Sequence, residues 1–207
     1  MFNIITFYRH LKYCPHPSKL EYKCRKLVMG GANQALYIFN DKDVRRLLNF
    51  DKVDTEEQNR FFNEFTVTNI VLLMLILEYK IAGAEDDLRK EYLQALKAHV
   101  PKYYIGMLAR FGIEKQYIDD WEKLIGLRYE EYDDEILEWR REIMNEENAP
   151  EALQKIASEK ALLIFQAVSF GLYRHLRRSK VEPQDRLYIR VQDYLSPIFK
   201  ELMLKSG

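Results

Sequence analysis

His10, Cys14, His16 and Cys24 fall within fifteen residues and include both cysteines and two of the four histidines of the chain. Tetrahedral zinc takes thiolate and imidazole in sets of four, so this ligand inventory suits a metal site. The spacing contains no Cys-x2-Cys pair, however, and Lys12, Lys19, Lys23, Arg25 and Lys26 crowd the stretch with positive charge. The competing reading is a pair of loop histidines beside two semi-buried thiols, either of which could sense redox state.

A second concentration of chemistry is acidic. Glu130, Glu131, Asp133, Asp134 and Glu135 stand between and after Tyr129 and Tyr132. Such carboxylates can hold a divalent cation or divide into a general acid and a general base. On a helix Glu131 and Glu135 share a face, and a solvated surface is the ordinary outcome of such a run. No Glu-x-x-His pair occurs, so a di-iron site has no support. The basic counterpart is Arg174, Arg177 and Arg178, with His175 and Lys180, followed by Arg186 and Arg190. These could bind phosphate or nucleic acid, but cations at a helix end also complement its dipole. No recognition helix or glycine-rich phosphate loop accompanies them, which makes nucleic acid an unfavoured partner. Four polar residues in apolar surroundings, His99, Tyr104, Gln166 and His175, could border a ligand pocket. No nucleophile motif is present, and the residues assign no cofactor.

The elements that carry these residues read as helices. Residues 70–77 are eight consecutive apolar positions inside a helical pattern that begins near Asp54 and runs to Gly83. A helix apolar all round must be hidden on every side, and eight residues are too few to cross a bilayer. Thr55 and Gln58 have capping-box spacing. Residues 161–173 form a second nearly all-apolar stretch, interrupted by Gln166 and Ser169. Between them, Ile118, Trp121, Ile125, Tyr129, Tyr132, Ile136, Trp139 and Ile143 step by three or four along one face. That aromatic seam packs either inward or on a second subunit.

The punctuation is less regular. Ser18 is a candidate cap for a helix ending at Gly30-Gly31, and Ser196-Pro197 for a final helix. Residues 2–8 fit a strand, although Ile4, Tyr8 and Leu11 also share a helical face. As a strand, the segment would pair with residues 35–39 in a minor β-hairpin near the N-terminus. The expected fold is all-α: seven or eight helices around two central apolar ones, in a single domain over residues 1–207. Residues 1–50 are a candidate accessory region.

The composition agrees. Hydrophobic residues make up 47% and aromatic residues 13%, too much for a disordered chain. Net charge is zero but unevenly spread: +6 over residues 1–50, −2 over 51–110, −8 over 111–148 and +4 beyond. Basic ends can fold against the acidic middle or steer a partner. Two cysteines form no disulfide framework and the first residues resemble no signal peptide, so the expected location is cytoplasmic. The leading functional expectation is an interaction or regulatory domain that self-associates or binds another protein through Trp121, Ile125, Tyr129, Tyr132, Ile136, Trp139 and Ile143. The alternative is a small-molecule-binding or enzymatic bundle with its pocket between the two apolar helices.

Overall fold

A computed structural model describes residues 16–146, 150–178 and 185–205. Among them are eight α-helices and no strand: α1 (Pro17–Phe39), α2 (Lys42–Leu47), α3 (Thr55–Ala82), α4 (Asp87–Arg110), α5 (Lys115–Asn145), α6 (Glu151–Ser158), α7 (Lys160–Arg177) and α8 (Arg186–Lys205). The fold is all-α and multi-helical. Residues 35–39 close α1 rather than forming half of a hairpin; residues 2–8 lie outside the described residues.

Local breaking signals give way to packing. Helix α1 passes through Gly30-Gly31, each of which costs a helix about 1 kcal/mol relative to alanine. Leu20, Cys24, Val28, Ala35 and Ile38 bury one continuous face along its whole length. Gly31 also lets α3 come close, since a Cβ there would sit 3.4 Å from that of Asn69. Pro197 lies inside α8 and starts no new helix, because buried Leu195, Ile198 and Leu202 hold both sides of it. Pro101 is likewise internal to α4, beside buried Val100 and Tyr104. The chain after Pro150 forms two helices, α6 and α7, that break at Glu159.

Caps follow the acidic residues. Asp41, Asp54 and Asp86 each accept a hydrogen bond from a backbone N–H of the first turn, at Val44, Glu57 and Arg89. Asp54 therefore replaces the expected Thr55 cap, and Gln58 donates instead to the carbonyls of Phe50 and Val53.

Helix α3 organises the rest. Residues 64–73 and 75–77 are all buried, and α1, α4, α5, α7 and α8 all pack against it. At 28 residues it is also long and apolar enough to cross a bilayer, which corrects the length argument from its apolar run alone. Two-thirds of its most apolar window is covered by the other helices, as in a core helix. Helix α7 buries Leu163, Ile164, Ala167, Val168, Leu172 and Leu176, and α1 and α2 enter the same apolar cluster.

The α5–α7 contact depends on Gly171. A Cβ at this position would collide with the ring of Tyr132, which is fully buried and hydrogen-bonded to Thr68 at 3.2 Å. Gly171→Ala gains about 1 kcal/mol of helix propensity but overpacks a ring that cannot retreat, at about 1–3 kcal/mol. Net destabilisation by urea titration is the expected result, partly reversed when Tyr132→Leu is added. A more stable single variant would refute this account of the contact.

Candidate functional site

Two polar constructions stand out, an ionic network in the interior and a cleft at one side of α3. The network begins at Glu64, 4% exposed, which the Arg128 guanidinium grips with two hydrogen bonds of 2.7 and 3.1 Å. Arg128 also donates to Glu131 at 3.0 Å. Glu131 is bonded in turn to Arg174 and, at 2.9 Å, to Nε2 of His175. Arg174 reaches Glu135 at 2.7 Å, and the second oxygen of Glu135 is buried without a partner among the described residues.

Burial alone would raise the Glu131 carboxyl. The hydrogen bond from His175, with the charges of His175, Arg128 and Arg174, outweighs that and holds it at about 2. Glu135 is pushed up by burial and by the Glu131 charge, against the pull of Arg174. Carboxyls driven apart in this way can act as acid and base. Here, though, protein cations occupy them and neither lines the cleft. The network's evident work is to fix α5 against α3 and α7.

Of the arginines read as a basic patch, the network takes up Arg174 alone, and most of the others have separate partners. Arg174 is held by Glu131 and Glu135, Arg177 by Asp185 and the Leu47 carbonyl, and Arg178 by Glu57. Arg190 pairs with Asp41 and Asp43; Arg186 is exposed. The basic C-terminal segment is thus largely folded against the chain's own acids.

The aromatic seam turns inward as well. Ile125, Tyr132 and Ile136 are buried, and Trp121 and Trp139 meet Tyr104 and Phe170 edge-on. Tyr129 donates to Glu78, which also receives Lys97, and Ile143 is half-buried. The core of this chain covers most of the face expected to receive a partner.

The four residues proposed as a pocket do not converge. His99 is exposed and bonded to the Ala95 carbonyl one turn back, while Tyr104 packs on Trp121. Gln166 accepts from Tyr188 and Gln192, and His175 belongs to the ionic network. Of the candidate metal ligands, His10 and Cys14 lie outside the described residues. His16 precedes α1 and bonds Ser18; Cys24 lies two turns along, about 12 Å by helical rise. Cys24 is completely buried, and burial, helped by the Glu21 charge, raises its thiol to about 11. No metal-ligand cluster occurs among the described residues.

The cleft lies between α1, α3 and α8 and encloses about 550 Å³. Leu27, Leu73, Ile198 and Leu202 supply apolar lining, and Lys23, Lys26 and Glu201 supply charge. Gly30 also lines it, and a Cβ there would meet nothing within 4 Å. The distinctive group is Asn69, 4% exposed. Its amide nitrogen donates to the Gly31 carbonyl at 2.9 Å and to the Tyr194 hydroxyl at 2.5 Å. Its Oδ1 is buried and has no hydrogen-bond partner among the described residues. An unmet buried acceptor costs about 1–3 kcal/mol; Asn69 lines the cleft, although its Oδ1 is itself closed to solvent. The visible signal was an amide placed directly before eight apolar residues.

No family model, no curated protein and no solved structure matches this chain.

The network generates a pH prediction. A carboxyl with a depressed folded-state pKa adds stability that is full above its unfolded value near 4.5 and fades as pH falls toward 2. Urea titrations at pH 7 and pH 3 should therefore show Glu131→Gln losing less stability on acidification than the parent. Arg128→Met leaves Glu64 uncompensated and should cost about 3–5 kcal/mol at pH 7, with much of that recovered in Glu64→Leu/Arg128→Met. Equal acid sensitivity in parent and Glu131→Gln would contradict the assignment.

Proposed function

We propose that this protein is a small-molecule-binding helical bundle whose ligand occupies the cleft between α1, α3 and α8. The observation that carries the reading is the buried, unaccepting Oδ1 of Asn69 beside a cleft of about 550 Å³. That volume is within the range of small-ligand sites, about 300–1,000 Å³. The lining asks for an apolar body, an N–H or O–H group for Asn69, and an acidic group for Lys26. In this reading α3 and α7 are the paired apolar centre, and the cleft is on the flank of α3 away from the ionic network. A cytoplasmic setting suits the unpaired Cys24, and burial of α3 favours a core helix over a membrane span.

A second reading, self-association, draws on a different surface from the seam. Tyr22, Met29 and Leu36 are exposed at seven-residue spacing on α1, with Tyr37 alongside. Sedimentation velocity separates the two: a concentration-dependent dimer abolished by Leu36→Glu would favour it.

The ligand reading has its own test. Gly30→Leu places a side chain in the cleft and removes a helix glycine, so its melting temperature should rise by about 2–4 °C. A thermal-shift screen of small amphipathic acids bearing amide or hydroxyl groups should give hits with the parent that Gly30→Leu and Asn69→Leu lose. Hits unaffected by both substitutions, or none across the screen, would overturn the proposal.

A further inference from the structure

Most arginines described above are taken up by carboxylates or by carbonyls at helix ends; Arg45 is not. It lies half-buried in α2, its guanidinium 4.2 Å from the ring centre of Phe50 and 5.9 Å from that of Phe39. Those contacts lay the guanidinium against the two rings, and none of its N–H donors meets a protein acceptor among the described residues. An arginine resting against aromatic rings, with its donor fork unspent, can take a planar or tetrahedral oxyanion.

Its surroundings extend the same chemistry. Arg45 lines a depression of about 390 Å³ together with Lys42, Arg46 and Lys52, against one carboxylate, Asp51. Arg46 is already paired with Asp43 at 2.8 Å, whereas Lys42 and Lys52 are exposed and have no ion-pair partner among the described residues. Asn49, in the left-handed backbone region with φ 52°, turns the chain from α2 into the short 3-10 turn Phe50–Lys52. That turn brings Lys52 to the same depression as Lys42 and Arg45. Of the other nearby acids, Asp41 is occupied by Arg190 and by the backbone of Val44, and Asp43 by Arg46 and Arg190. Three cations thus gather against the single carboxylate of Asp51, an excess of positive charge that suits an anion.

We propose that the depression formed by α2 and the 3-10 turn is a phosphate-binding site, with Arg45 as the oriented donor and Lys42 and Lys52 as flanking charges. It is independent of the cleft reading. The group recognised is a phosphate ester or diphosphate, carried either by a soluble metabolite or by a lipid headgroup.

Isothermal titration of the full chain with inorganic pyrophosphate at low salt tests the soluble source. Co-sedimentation with phosphatidylcholine vesicles containing phosphatidic acid tests the headgroup. Arg45→Met keeps apolar contact with Phe39 and Phe50 but removes the donors. Lys42→Ala/Lys52→Ala alters exposed positions only, so it reads the site even if Arg45→Met proves unstable. Binding of either probe, weakened about tenfold or more by each variant and by added salt, supports the proposal and identifies the source. Binding of neither probe, or binding that Lys42→Ala/Lys52→Ala leaves unchanged, overturns it.

Discussion

The structure depends on a solvent constraint acting on α3. Its middle has no face toward water, so each polar group it carries must find a partner on another helix or leave a buried cost. Glu64 finds Arg128 and Thr68 finds Tyr132, both on α5. Asn69 finds Gly31 of α1 and Tyr194 of α8, while Thr66 turns back to the Phe62 carbonyl of its own helix. Apolar burial draws helices together without choosing their register. These few polar pairs are directional, and they specify which neighbour sits where.

The ends of the helices repeat that logic with charge. Arg60 of α3 donates to the carbonyls of His175 and Leu176 at the C-terminus of α7. Lys80, at the other end of α3, donates to the Met203 carbonyl of α8 at 2.6 Å, and Arg177 donates to Leu47 of α2. Terminal carbonyls have no partner within their own helix, and cations there also oppose the negative end of the dipole. Part of the basic C-terminal segment thereby serves acids and carbonyls of the same chain, although only Arg174 reaches the acidic block itself, at Glu131 and Glu135.

How much of this was legible follows from which information is local. Residues 70–77 announce an enclosed helix because a run with no polar side leaves no alternative. The three-and-four spacing from Trp121 to Ile143 gives the buried face of α5, but periodicity identifies a face and not what covers it. The neighbours turned out to be Tyr104 and Phe170 of this chain. Gly30-Gly31 and Pro197 misled because their costs are local and small beside the burial on either side of them. His99, Tyr104, Gln166 and His175 were grouped by polarity alone, and tertiary neighbours, which sequence does not display, sent each elsewhere. Asn69 directly precedes the most apolar stretch, but that position alone did not mark it as a site residue. That two of its hydrogen-bonding needs are met and one is open could be read only with α1 and α8 in place.

The central claim is that one acceptor within the enclosing layer around α3 is left for a molecule the chain does not contain. A high-resolution crystal structure of the purified protein tests it most directly. The account predicts electron density in the α1–α3–α8 cleft within hydrogen-bonding distance of Asn69 Oδ1. A cleft closed by Leu27, Leu73 and Leu202 into solid packing, with Oδ1 satisfied by a group of the protein itself, would contradict it.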